Sequence, residues 1–161
     1  NQLNFFGTKY AREDVKAMVH AESQLHTFVM RCSDRFGEYG VIGFAAVDLA
    51  QGCIADFFMS CRVQRKYVEH AFFALLAAKL QNAGLDKISV RFRPTDRNGA
   101  AIEMLKDLGF SYEQSDSAAG KWHRSLMTGF HNSEIVHVLD RTLGLECKDQ
   151  RDVLPKSGAS S

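Results

Sequence analysis

Residues 57–80, FFMSCRVQRKYVEHAFFALLAAKL, contain the strongest local signal in the chain. They begin as a short apolar strand, turn at Cys61 and Arg62, pass a basic cluster and continue as a helix from about Val68 to Asn82. A strand that enters a helix through Arg and Lys residues is a common way to hold a phosphate, but such turns usually contain glycines and this one has none. Three interpretations are open: a phosphate loop without its glycines, a site built around the cysteine, or a simple connection.

The bulk composition indicates one compact domain. The chain has 161 residues, of which 45% are hydrophobic and 24% are charged. Its net charge of +1 gives no reason to expect a nucleic acid or an anionic membrane as the main partner. No signal peptide or membrane-length apolar run is visible. Because the chain begins with Asn1, we expect an excised domain or a processed product.

The four cysteines are Cys32, Cys53, Cys61 and Cys147, and they lie far apart in the sequence. The absence of a C-x-x-C pair and of paired histidines argues against a metal site. It favours free thiols in a reducing cytoplasm.

Hydrophobic periodicity predicts the following elements along the chain. After an extended lead-in over residues 1–6, we expect a helix over 8–23, strands over 25–34, 40–50 and 53–63, the helix over 68–82, a strand over 85–96, a helix over 98–110 and a strand over 120–127. This order suits an α+β sheet with helices on its faces. We expect the folded domain to span residues 1–126, a helical extension to span 127–147 and a polar, disordered tail to span 148–161.

Several separated segments carry a family resemblance. RNGAAIEMLKDLGF, residues 97–110, resembles the N-x-x-A-x-x-F-Y-x-x-x-G-F segment of the GNAT acyltransferase superfamily. SCRVQRKYVEHAFFALLAAKL falls where that superfamily has its Q/R-x-x-G-x-G/A pyrophosphate loop and the following helix. More narrowly, NQLN, RFGEYGVIGFA, FFMSCRV and RPTDRN together resemble the C-terminal acyltransferase-like half of FkbH-like proteins, over roughly residues 1–125.

The resemblance implies a fold, an activity and partners. The fold would be GNAT-like, with a mixed, mostly antiparallel central sheet and helices on both faces. The activity would load a glyceryl unit from a phosphorylated glycerate onto the phosphopantetheine thiol of an acyl carrier protein. A HAD-type phosphatase-like domain would precede this domain, and no metal would be bound here.

The sequence also departs from the superfamily pattern. Tyr67 and Glu69 align with glycines, and Leu105 stands where a Tyr often acts as general acid. Glu69 would repel a pyrophosphate, whereas the basic residues could hold one phosphodiester through their side chains. This pattern favours a carrier-bound phosphopantetheine arm over free CoA.

Candidate site residues follow from these considerations. Cys61 is the proposed nucleophile, since nearby cations and a helix N-terminus favour the thiolate, and His70 is a candidate base. The candidate cofactor-binding residues are Arg62, Val63, Gln64, Arg65, Lys66 and Asn98, and the candidate substrate-binding residues are Arg93, Thr95 and Trp122.

Each candidate also has a purely structural interpretation. Cys61 could simply pack, Asn98 could cap a helix, and His70 could lie on the surface. Arg91 and Arg93 could form a solvated strand face, and Trp122 could anchor the core. The other three cysteines are expected to be structural.

Three functions therefore compete: a carrier-protein acyltransferase, a non-catalytic module that docks a carrier protein or a phosphatase domain, and a CoA-dependent N-acetyltransferase.

Overall fold

The computed structural model describes residues 3–6, 24–114, 119–131 and 136–141. The helix predicted over 8–23 and the tail from 148 lie outside these ranges. The elements are β1 (Leu3–Asn4), β2 (Leu25–Asp34), β3 (Gly37–Asp48), β4 (Cys53–Met59), α1 (Val68–Asn82), β5 (Lys87–Phe92), α2 (Gly99–Asp107), β6 (Ser111–Glu113) and β7 (Gly120–Ser125). A 3₁₀ turn, Cys61–Val63, follows β4.

The strands form one mixed sheet. Its order is β2-β3-β4-β5-β7-β6, and β1 pairs with β4 outside this path. The pair β4–β5 is parallel and the other pairs are antiparallel. The predicted α+β class with a mostly antiparallel sheet is confirmed. Neither α1 nor α2 has the length and apolarity that a membrane crossing requires.

The parallel strands β4 and β5 pair only at their beginnings, at Cys53 with Ser89 and at Ile54 with Val90. Further along, β1 lies between them. Leu3 pairs with Met59, the Phe5 N–H donates to the Phe57 carbonyl at 3.0 Å, and the Arg93 N–H donates to the Phe5 carbonyl at 2.9 Å. We call the gap between the ends of β4 and β5 the wedge. The lead-in predicted over residues 1–6 is thus a strand inserted into the sheet.

The aromatic core fixes this inserted segment. The Phe5 side chain is fully buried, and its ring centroid lies 4.6 Å from that of Phe57 and 5.8 Å from that of Phe92. From α1, Phe73 packs on both Phe5 and Phe57, with ring centroids at 6.5 and 5.6 Å. Burial of four aromatic rings at one point makes the wedge part of the hydrophobic core.

Asn98 fastens the inserted segment from the other side. It precedes α2, but no side-chain hydrogen bond caps that helix, contrary to the predicted cap. Its Oδ1 instead accepts from the Thr95 N–H at 2.8 Å, while its Nδ2 donates to the carbonyls of Asn4 at 3.1 Å and Arg93 at 2.9 Å. Only 2% of the Asn98 surface is exposed, and its side-chain amide joins β1 to the loop after β5.

The segment after β7 packs on the domain. Residues 127–131 and 136–140 contain no helix and Arg141 is helical. The helical extension expected over 127–147 stays a prediction, because part of that range lies outside the described residues. Phe130 packs against Phe73 and Phe110, with ring centroids at 6.4 and 6.1 Å, and Asp140 pairs with Lys79 at 2.7 Å.

Truncation of Phe5 tests the filled wedge. We expect Phe5→Ala to lower the free energy of unfolding by about 3–5 kcal/mol, because it opens a cavity among four rings. Phe6→Ala, which removes a partly exposed ring, should cost only about 1–2 kcal/mol. Urea denaturation of both variants measures the difference, and equal losses would mean that Phe5 is not buried in the wedge.

Candidate functional site

The candidate site lies where β4 and β5 end, because parallel strands bring their carboxyl ends to the same edge. Cys61 follows β4 in the 3₁₀ turn. Ser60 holds this turn, since its N–H donates to the Ile42 carbonyl at 2.7 Å and its Oγ accepts from Arg62 N and Nε at 3.3 and 3.2 Å. Cys61 is exposed, so its thiol is open to a reagent from solvent.

The loop before α1 has a glycine-like backbone without glycine. Arg65 has φ 65° and Tyr67 has φ 59°, both in the left-handed region that glycine adopts most readily. The alignment placed the lost glycines at Tyr67 and Glu69. Of these two positions Tyr67 is left-handed, whereas Glu69 lies within α1 with 7% of its surface exposed; Arg65 is the other left-handed residue of the loop. Each such residue costs about 1–3 kcal/mol of backbone strain.

The N-terminus of α1 opens onto this loop. Tyr67 is the N-cap residue and makes no side-chain cap hydrogen bond, so the N–H groups of the first turn have no side-chain acceptor there. Such a helix end favours an anion. Glu69 opposes this, since its carboxylate lies in the first turn, 3.3 Å from the Nδ1 of His70.

Lys66 joins the loop to the β2–β3 hairpin. Its Nζ lies 3.0 Å from the Asp34 Oδ2 and 2.5 Å from the Tyr39 hydroxyl. The hydrogen bond from Lys66, then those from the Phe36 N–H and Tyr39, lower the pKa of Asp34 from 3.8 to about 2. Hydrogen bonds to Tyr39 and Asp34 raise the pKa of Lys66. Lys66 therefore anchors the loop, and its charge is already paired.

Of the other residues predicted to bind the cofactor, Val63 and Gln64 are at least half-buried, and the two arginines are exposed. Val63 is fully buried, and its N–H bonds to the Ser60 carbonyl at 3.2 Å. Gln64 is half-buried, and its N–H bonds to the Cys61 carbonyl at 3.2 Å. Arg62 and Arg65 are exposed and make no ion pair within the described part of the chain. Among the described residues of this loop, Arg62 and Arg65 are thus the exposed cations without an ion-pair partner.

His70 is turned toward other groups. It contacts Glu69 and the ring of Tyr67, whose centroid is 5.3 Å from that of the imidazole. It also lines a cleft with Asp107, Arg124 and other residues at the end of α2 and after β7. Within the described ranges no hydrogen bond joins His70 to Cys61. The two residues predicted as base and nucleophile are not brought into contact.

The predicted substrate-binding residues lie at the same sheet edge or in the core. Arg93 is exposed, with its guanidinium 4.5 Å from the Phe6 ring centroid, and Thr95 is exposed, with its Oγ1 accepting from the Arg97 N–H at 3.3 Å. Trp122 is 7% exposed and packs with its ring centroid 6.3 Å from that of Phe92. Its side chain belongs to the core.

Leu105, which stands at the general-acid position of the resemblance, is fully buried and can serve only in packing. The described ranges also contain no group of three His, Cys, Asp or Glu side chains placed to hold a metal ion.

Comparisons with known proteins identify the fold. No protein-family model and no curated protein sequence matches the chain. A solved domain from Methanocaldococcus jannaschii superposes with a TM-score of 0.60 at 14% identity, covering 76% of this chain and 81% of that one. The ribosomal-protein-S18-alanine N-acetyltransferase from Escherichia coli gives 0.53 at 13% identity, covering 82% and 85%. A GNAT-family acetyltransferase from Staphylococcus aureus gives 0.51 at 11% identity, covering 71% and 75%. The chain therefore has the GNAT fold, as the resemblance implied.

Substitution of Tyr67 tests the left-handed backbone. Tyr67→Gly and Tyr67→Ala both remove the side chain, but only glycine adopts this φ without a steric penalty. We expect the glycine variant to be more stable than the alanine variant by about 1 kcal/mol, measured by urea denaturation. An alanine variant of equal or greater stability would contradict the left-handed assignment.

The Asp34–Lys66 pair predicts a pH dependence. Because the folded pKa of Asp34 is lowered to about 2, its stabilising contribution is present above the ordinary pKa and lost as pH falls from about 4 to 2. The melting temperature of Asp34→Asn should lie below that of the native protein at neutral pH, and the two should converge near pH 2. Asp96→Asn, on an exposed loop side chain, is the control and should show no such convergence. A pH-independent difference for Asp34→Asn would contradict the pair.

Proposed function

We propose that this domain transfers an acyl group, of glyceryl type in line with the FkbH-like resemblance, to the phosphopantetheine thiol of an acyl carrier protein. The observation that supports it most is the position of Cys61, exposed at the end of β4 beside Arg62. A thiol there can take part in covalent acyl transfer. A HAD-type phosphatase domain is the proposed neighbour in the full polypeptide.

The filled wedge limits how any pantetheine arm can bind. Parted strands present unpaired N–H and C=O groups, with which the amides of an extended ligand could pair. In this chain β1 already occupies that position through Leu3, Asn4 and Phe5. A pantetheine arm, from CoA or from a carrier, must then approach along the outer rim of the sheet.

The charges at the loop favour a carrier-bound arm over free CoA. With Lys66 paired to Asp34, Arg62 and Arg65 remain beside the open end of α1. Two guanidinium groups match a single phosphodiester, which is what a carrier-bound phosphopantetheine presents. CoA carries more negative charge, and the first-turn carboxylate of Glu69 would repel it.

The proposed chemistry has two steps. The Cys61 thiolate attacks the carbonyl carbon of an activated acyl donor, a C–S bond forms, and the donor's phosphate or thiolate leaves with the bonding electrons. The carrier thiolate then attacks the Cys61 thioester, takes the acyl group and restores the Cys61 thiolate. The carrier thiol gives up its proton to solvent or to a base, for which His70 would have to turn away from Glu69.

Three observations support other functions. The burial of Leu105 and the separation of His70 from Cys61 favour a non-catalytic module that only docks a carrier protein or a phosphatase domain. The GNAT fold itself is compatible with a CoA-dependent N-acetyltransferase, in which an amine attacks acyl-CoA directly and no cysteine is needed.

Acylation of Cys61 is the direct test. Incubation with an S-acyl pantetheine or with an acyl phosphate should add one acyl mass to the native protein, mapped by peptide mass spectrometry to Cys61. Cys61→Ala should lose the adduct, whereas Cys53→Ala, which removes a half-buried thiol, should keep it.

Equal labelling of Cys61→Ala would refute the covalent mechanism. Carrier binding without acylation would favour the docking module. Tight CoA binding in a calorimetric titration, combined with acylation of an added amine, would favour the N-acetyltransferase.

A further inference from the structure

The tip of the β2–β3 hairpin is held against the loop before α1. Lys66 reaches from the loop to Asp34 and Tyr39, at 3.0 and 2.5 Å. Asp34 also shapes the tip, since its Oδ1 accepts from the Phe36 N–H at 2.8 Å. We call the surface formed by residues 34–37 and 61–67 the basic rim. Cys61 is part of it.

Three arginines on the basic rim lack an acidic partner. Arg35, Arg62 and Arg65 are exposed, and within the described ranges none of them forms an ion pair. The neighbouring acids are engaged elsewhere, Asp34 with Lys66 at 3.0 Å and Glu38 with Arg31 at 4.0 Å. The whole chain has a net charge of only +1, so this positive charge is a local feature of the rim.

An aromatic side chain stands at the outer end of the same surface. Phe36 is 81% exposed, and the Arg35 guanidinium lies 4.6 Å from its ring centroid. At the inner end Tyr67 is 47% exposed. Exposed aromatic residues next to arginines are typical of protein–protein interfaces, where these residue types carry much of the binding energy.

We infer that the basic rim docks an acidic protein domain, and that this domain is the carrier whose thiol reaches Cys61. The inference rests on the proposed function and adds the recognition surface to it. Arg35 would attract the carrier's carboxylates, Phe36 would anchor the carrier at the hairpin tip, and the arm would run from there so that its thiol end reaches Cys61. Since the hairpin tip lies outside the reacting groups, it can be altered without touching the chemistry.

Charge reversal at the hairpin tip tests the inference. Binding of three holo acyl carrier proteins of different net negative charge is measured at low and at high salt. Affinity should rise with carrier acidity and fall with salt. Arg35→Glu should weaken binding about tenfold, and Phe36→Ala should weaken it about fivefold. Lys87→Glu, at the end of β5 that lies away from the candidate site, is the matched control. The affinity of this variant for the carrier should stay within about twofold of the native value.

The outcomes separate this inference from the proposed function. Acylation of Cys61 by S-acyl pantetheine needs no carrier, so Arg35→Glu should acylate at the native rate. Normal acylation together with equal carrier binding by native protein and Arg35→Glu would overturn the docking surface alone. Absence of acylation in every variant would overturn the proposed function, while the binding series would still decide the docking surface. Binding of duplex DNA more tightly than of any carrier would also overturn it.

Discussion

The parting of β4 from β5 is the constraint on which the rest of the structure depends. A sheet that opens in its middle leaves backbone groups unpaired, and unpaired buried amides are costly. Here the chain satisfies them itself, because β1 enters the wedge and Phe5 joins the aromatic core. Asn98 then ties this segment to the loop after β5. The interior of the sheet is closed, and the candidate site lies at its outer edge.

Because the interior of the sheet is closed, the candidate site consists of an outer loop and its side chains. Ligand-binding loops of this kind usually work through glycine and bare backbone, whereas this loop keeps two left-handed residues, Arg65 and Tyr67. Their strain is tolerated because the surrounding contacts over-determine the loop. Among these contacts, Lys66 binds a hairpin far away in sequence. The proposed site would therefore rely on side-chain charge around an exposed thiol.

Local signals in the sequence predicted much of the fold. The helix Val68–Asn82 was expected at those bounds, and the predicted order of helices and strands along the chain gave the correct α+β class. The insertion of β1 was not predictable, since its register with Met59 depends on a gap that only the assembled sheet creates. Strand β6 gave no pattern, because all of its side chains are exposed. At the site, a turn at Cys61 and Arg62 was predicted, and its exposure was left open between packing and reactivity. The engagement of Lys66 was not, because its partners lie about thirty positions earlier in the chain.

Hydrogen exchange at the backbone amides of Phe5 and Arg93 tests the closed wedge most directly. Both N–H groups are donors in the bonds that join β1 to its neighbours. They should exchange as slowly as amides in the middle of β3, and addition of CoA should leave their rates unchanged. Fast exchange, or a loss of protection when CoA is added, would show that β1 leaves the wedge and that the cleft opens to a ligand.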